Sequence, residues 1–181
     1  VIPTDLTLFE SGSLSRNPAR SSGLADFVAE QDIIYVGGGN TANLLSVWRA
    51  HGLDEIFKEA WLGGRIFCGL SAGMICWFKT GVTDSFGELS PLENGLGWID
   101  ASACPHYDSE PARRLAFHEM IRNGMPTGFA ADDGAALHFV GTELAEVVSS
   151  RAGASAYRVE KSGAGVSDTK LPCRFLGSVA P

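Results

Sequence analysis

Ser71, Asp84 and His106 put a nucleophile, an acid and a base within thirty-six residues, Asp84 thirteen positions after the serine and His106 twenty-two further on. The serine lies in Gly69-Leu70-Ser71-Ala72-Gly73, a G-x-S-x-G run with apolar Ile66-Phe67-Cys68 before it and an apolar, helix-compatible stretch from Ala72 to Phe78 after it. Strand, sharp turn and helix in that order are the context required by a nucleophile elbow, which aims a serine hydroxyl outward beside the first free N–H groups of a helix. The flanking glycines are needed because the turn strains the serine's backbone, and side chains beside it would collide with the adjoining strand and helix. A serine hydroxyl needs a base to take its proton, and that base needs an acceptor to orient it. The chemistry of such a set is acyl transfer. In a chain with 22 glycines the run could arise by chance, and the partners argue against that.

Of four histidines, His106 is the best placed base, in the loop segment Ala103-Cys104-Pro105-His106-Tyr107-Asp108 after a short strand. His51 falls at a helix end, His118 inside a helix and His138 in an alternating strand, where structural roles are the rule. Asp84 is the candidate acid on chain order and closeness to the elbow, with Glu88 and Asp108 as competitors. The glycines of Tyr35-Val36-Gly37-Gly38-Gly39-Asn40-Thr41 do not complete a G-x-G-x-x-G dinucleotide fingerprint. They fit better as a turn at a strand's carboxyl end that presents a backbone N–H to a substrate oxygen, paired with the N–H of Ala72.

The elements that must position these groups read as follows. Leu6–Phe9 suits a strand, residues 10–20 a loop, and Ser22–Glu30 a short helix. Ile33–Val36 is a continuous apolar run expected as a strand buried on both faces of a parallel sheet. Helices are expected to about Ala50 and over Asp54–Trp61, the latter capped by Asp54, before a strand at Arg65–Cys68 and the elbow. Residues 79–98 read as loop-rich, and Pro111–Asn123 as a helix with proline in its first turn. The segments 135–140, 143–149, 156–160 and 172–176 read as late antiparallel strands. This order predicts an α/β fold, a three-layer α/β/α sandwich with a mostly parallel sheet and antiparallel C-terminal strands, as one domain over residues 1–181.

Bulk properties narrow the function. With 45% hydrophobic and 19% charged residues the composition is that of a globular chain. The net charge of −7 offers no basic stripe for nucleic acid or an anionic membrane. Apolar runs fall short of the roughly 20 residues of a membrane span, and the start lacks the pattern of a signal peptide. Cys68, Cys76, Cys104 and Cys173 form no C-x-x-C pair, so reduced thiols in the cytoplasm are expected, with Cys68 and Cys76 packed beside the elbow. Neither cysteines nor histidines fall at zinc-ligand spacing, and no cofactor is expected.

Taken together, Tyr35-Val36-Gly37-Gly38-Gly39-Asn40-Thr41, Gly69-Leu70-Ser71-Ala72-Gly73 and Cys104-Pro105-His106-Tyr107 resemble the peptidase E (aspartyl dipeptidase) and cyanophycinase family of serine peptidases, over most of residues 31–140. The resemblance implies a fold like that of class I glutamine amidotransferases. It implies Ser71 as nucleophile, His106 as base, Asp84 as acid, and Gly39 and Ala72 as oxyanion donors. Asp133, in Ala131-Asp132-Asp133-Gly134, matches an acidic position near the family's site. Asp133 or Glu110 would meet a substrate ammonium, and Arg113 (or Arg114) an acidic side chain.

Two departures stand out. Family members begin with a further strand, glycine loop and helix, so the chain is expected to leave an unfilled sheet position that invites a second chain, a homodimer being the simplest case. The arginine motif after the histidine is also shifted. The expected activity is a serine exopeptidase acting on short peptides. A cyanophycinase-like peptidase or esterase, and a catalytically silent binding module, are the alternatives.

Overall fold

The computed structural model describes residues 23–163 and 165–177, and these divide into two compact units. The expected strand at Leu6–Phe9 lies outside the described residues. One unit takes in the described residues up to Tyr35 together with Ser46–Cys68. It holds α1 (Leu24–Ala29), most of β1 (Ile33–Val36), the later part of α2 (Thr41–Ala50), α3 (Leu53–Leu62) and most of β2 (Ile66–Gly69). α1 packs on α3, and β1 pairs with β2. Phe57 anchors the unit's core, edge-on to Trp48 at 5.0 Å and to Phe67 at 5.4 Å between ring centres.

Three local expectations are corrected here. Asp54 does not cap α3: Gly52 is the N-cap, and Asp54 lies in the first turn, where a carboxylate still meets the positive helix end. β1 is not buried on both faces, since Ile33 and Tyr35 are 50% and 61% exposed while Val36 is buried. Successive strand residues point to opposite faces, and only one face of β1 is covered among the described residues. Cys68 is exposed rather than packed.

The second unit comprises Val36–Leu45 and the described residues from Gly69 onward. After the one-turn helix α4 (Ala72–Ile75) come β3 (Phe78–Phe86), β4 (Glu88–Leu92), β5 (Ile99–Cys104), α5 (Pro111–Arg122), β6 (Gly128–Ala131), β7 (Ala135–Val140), β8 (Glu143–Ser149), β9 (Ala156–Ser162), β10 (Gly165–Lys170) and β11 (Cys173–Phe175). A six-stranded sheet has the order β10-β9-β6-β5-β3-β4, and a three-stranded one β11-β8-β7. Parallel ladders join β3 to β5 and β5 to β6, and antiparallel ladders join β4, β9 and β10 at the flanks. The result is a mixed α/β fold, parallel in the middle of the larger sheet and antiparallel toward the C-terminus.

Adjacent β5 residues serve different cores. Cys104 packs with Val82, Phe117 and Ile121 under α5. Ala103 packs with Phe78 and Ile99, against Met74 of α4 and Leu137 and Phe139 of β7. Both faces of the strand are therefore covered. The helix after the elbow ends at Ile75 rather than Phe78, and residues 78–92 form a hairpin where loop was expected. Gly81 and Pro91 are residues that disfavour an isolated strand. Gly81 instead lets β3 run close to Ala103 O, which a Cβ would approach to 2.6 Å, and Pro91 is tolerated because β4 is an edge strand. The β10 strand carries no apolar alternation and was not expected. β11 pairs with β8 in parallel, not antiparallel.

Candidate active site

The elbow is built by close backbone approach. Leu70 N donates to Val36 O at 3.2 Å, tying the end of β2 to that of β1. A Cβ on Gly69 would lie 2.5 Å from Val36 O, and one on Gly73 would lie 2.2 Å from the same atom. Between them Ser71 takes φ 53° and ψ −113°, and its side chain makes no capping bond to α4. Its hydroxyl is thus not spent on its own helix. As the first helical residue, Ala72 has no intrahelical acceptor for its N–H. Because α4 is a single turn, any anion site here rests on individual N–H groups rather than on a long helix dipole.

The glycine loop lies against this turn. A Cβ on Gly38 would sit 3.4 Å from Ser71 Cβ. Gly39 adopts φ +135°, and a Cβ there would meet nothing within 4 Å. The loop is fastened on its far side. Asn40 Oδ1 caps α2 by accepting from Asn43 N at 2.9 Å, and Asn40 Nδ2 donates to Ser85 O at 2.9 Å. Ala42 N donates to Ser85 Oγ at 3.1 Å. Ser85 belongs to the irregular end of β3, where the register shifts between Thr83 and Phe86.

His106 follows β5 by two residues, and α4 packs on β3 and β5. Its φ is 58°. Among the described residues, Ser71 and His106 are the two non-glycine positions with positive φ, and strain of that kind gathers at functional positions. Nδ1 of His106 is 2.7 Å from Asp133 Oδ1. Asp133 sits in the β6–β7 turn, and because β5 and β6 run parallel with Cys104 opposite Ala130, the two loops leave the sheet at the same end. The Ser109 hydroxyl bonds the Asp133 carboxylate and, with His106, holds it below the ordinary carboxylate range.

Asp84 is elsewhere. It is 61% exposed, and its nearest cation is Arg113 Nη2 at 3.7 Å. The imidazole's partner is Asp133 instead. Arg113 is only 3% exposed: Nε donates to Glu110 Oε2 at 2.6 Å and Nη1 to Val82 O at 3.1 Å. Val82 stands opposite Pro91, which has no N–H to give. Arg113 is therefore buried and bonded within the protein, whereas Glu110, its partner, remains 48% exposed. Arg114 pairs with Asp168 Oδ2 at 2.7 Å. That buried carboxylate also takes the Tyr107 hydroxyl at 2.9 Å and His118 Nε2 at 2.6 Å, and burial, reinforced by Asp168, raises the Tyr107 phenol well above its usual range. Burial pushes the Cys104 thiol up to about 12. Ser109, Ser85 and Arg151 were missed by sequence reasoning, because each acts through a contact between distant segments.

A family model described as Peptidase family S51 matches residues 5–147. Over 177 residues, 97% of this chain and 73% of the relative, the sequence is 50% identical to the uncharacterized peptidase YgaJ of Bacillus subtilis. It is 33% identical over 94 residues to the uncharacterized peptidase Lmo0363 of Listeria monocytogenes, covering 48% of this chain and 45% of that one. A Listeria monocytogenes protein solved at 1.5 Å and provisionally assigned as peptidase E matches with TM-score 0.46 and 20% identity, over 82% of this chain and 64% of that one. The chain thus spans less than two thirds of the length of two of these three relatives. Among the described residues no helix is long and apolar enough to cross a membrane.

Proposed function

Because the chain belongs to peptidase family S51, we propose that it hydrolyses short peptides through an acyl-enzyme on Ser71, with His106 as base and Asp133 as the acid that orients it. The observation that carries this reading is the shared backbone strain of Ser71 and His106 among the described residues. Strain at two separate loops, on a serine and a histidine, is of the kind that gathers at functional positions.

In this mechanism Ser71 Oγ attacks the peptide carbonyl while its proton passes to His106 Nε2. Asp133 accepts from Nδ1–H, fixing the tautomer and stabilising the imidazolium. The N–H groups of Gly39 and Ala72 receive the oxyanion. The intermediate collapses as the imidazolium gives its proton to the departing amine. A water, deprotonated by the same nitrogen, then cleaves the ester, and Ser71 regains its proton as the acid product leaves.

Substrate class follows from charge. Arg113 and Arg114 are engaged by Glu110 and Asp168, which favours neutral over acidic side chains at the first position. Asp84 and Glu110 share the single guanidinium of Arg113, so one negative charge is left over. Asp84 adjoins Ser85, which fastens the glycine loop. That surplus is suited to a free amino terminus and supports exopeptidase action.

The test is hydrolysis of Leu-X, Asn-X, Glu-X and Asp-X dipeptides by wild type, Ser71→Ala and His106→Ala. Each variant should lose at least about 10³-fold, with little further loss in the double variant. Near wild-type rates in Ser71→Ala would overturn the mechanism.

A further inference from the structure

His106 and Asp133 belong to different loops, and one partly exposed side-chain hydrogen bond by itself is worth only about 0.5–1.5 kcal/mol. Something else must hold the two loops in register. We propose that Asp108 and Arg151 form a bracket that fixes His106 and Asp133 relative to one another, with Arg151 a positioning residue for the acid. The inference rests on the reading of Asp133 as the orienting carboxylate.

The bracket is a closed ring of bonds. Asp108, two residues past His106, accepts the Asp133 backbone N–H on Oδ1 at 2.9 Å. Arg151, in the segment after β8, donates Nε to the Asp133 carbonyl at 2.9 Å and Nη2 to Asp108 Oδ2. Both main-chain polar groups of Asp133 are thereby held, and the two holders are joined to each other. A guanidinium can do this because its donors lie in one rigid plane. An ammonium on a flexible stem can meet one acceptor well but not both in fixed geometry.

The approach is close. A Cβ on Gly134 would lie 2.9 Å from Arg151 Cβ, and Ser150 N donates to Gly134 O at 2.9 Å, seating the β8 end on the β6–β7 turn. Burial alone would raise the Asp108 carboxyl, but the Asp133 N–H and Arg151 outweigh it and hold it below the ordinary range. Asp108 therefore stays charged at neutral pH and keeps its grip.

Arg151 is 50% exposed, so its removal leaves the core intact. The test compares the second-order rate at which a fluorophosphonate probe labels Ser71 in the full chain, for wild type, Arg151→Gln, Asp133→Ala and the double variant. Thermal melting runs alongside. Arg151→Gln should slow labelling about 10- to 100-fold, the scale of loss that follows a misplacement of about 1 Å. In the Asp133→Ala background the same substitution should add less than about twofold, since the acid through which it acts is gone. Arg151→Lys should recover only a small part of the rate.

No slowing by Arg151→Gln, or equal slowing in both backgrounds, overturns the bracket and leaves Asp133 in place. No slowing by Asp133→Ala itself overturns the acid assignment and the bracket with it.

Discussion

Replacing Arg113 by methionine separates two jobs that an arginine near a histidine loop could do. Methionine keeps the apolar stem but removes the guanidinium. Glu110 and Asp84 are 48% and 61% exposed and regain water. The Val82 carbonyl, paired opposite a proline and reached by Arg113 Nη1, loses its donor in a buried setting. An orphaned buried acceptor costs about 1–3 kcal/mol. In a chain of this size each kcal/mol lowers Tm by about 2–4 °C. Arg113→Met should therefore melt about 4–8 °C lower for a cost near the middle of that range. The ratio of Asp-X to Leu-X hydrolysis should not move. Differential scanning fluorimetry and a dipeptide panel give both readouts. An unchanged Tm with a collapsed Asp-X to Leu-X ratio would mean that Arg113 reads the substrate.

The two candidate acids separate kinetically. Asp133→Asn, which forces the wrong imidazole tautomer, should lower kcat by about 10³–10⁴-fold. Asp84→Asn should raise KM with kcat changed less than about threefold, as expected for uniform substrate binding, and steady-state kinetics on Leu-X decide it. Gly73→Ala should abolish both the fold of the elbow and the activity, because its Cβ would lie 2.2 Å from Val36 O; a soluble, active variant would contradict the close packing. Asp133 and Asp108 are carboxyls held below the ordinary range, the first chiefly by the Ser109 hydroxyl and the second against burial by the Asp133 N–H and Arg151. Their contribution to stability is full above the unfolded value of about 4 and is lost as pH falls through the depressed folded values. Tm should thus hold down to about pH 4 and fall below it, less steeply in Arg151→Gln; a fall already complete by pH 5 would refute that origin.

What could be read from the sequence follows the range of the interactions. The elbow was legible because its strain is local and is announced by glycines that no other residue could replace. His106 could be singled out too, as a histidine in a loop next to a strand end. The imidazole's acceptor was not. Which carboxylate meets His106 depends on β6 lying beside β5, with Cys104 opposite Ala130, and that pairing leaves no mark in residue spacing. Asp133 was further disguised by its Asp-Asp-Gly setting, which reads as ordinary turn chemistry.

The hairpin of β3 and β4 was obscured for a related reason. Gly81 and Pro91 break isolated strands, yet here one serves close contact with β5 and the other sits on an edge. Arg113 and Arg114 look alike in sequence, while the structure buries one beneath β3 and leaves the other 55% exposed on Asp168.

The central claim is that Ser71 is an activated nucleophile, and mass spectrometry of the chain after treatment with a fluorophosphonate probe tests it most directly. One adduct, mapped to Ser71 and missing from folded His106→Ala, is the predicted result. A folded wild-type protein that takes no adduct, or takes one only at another residue, would contradict it.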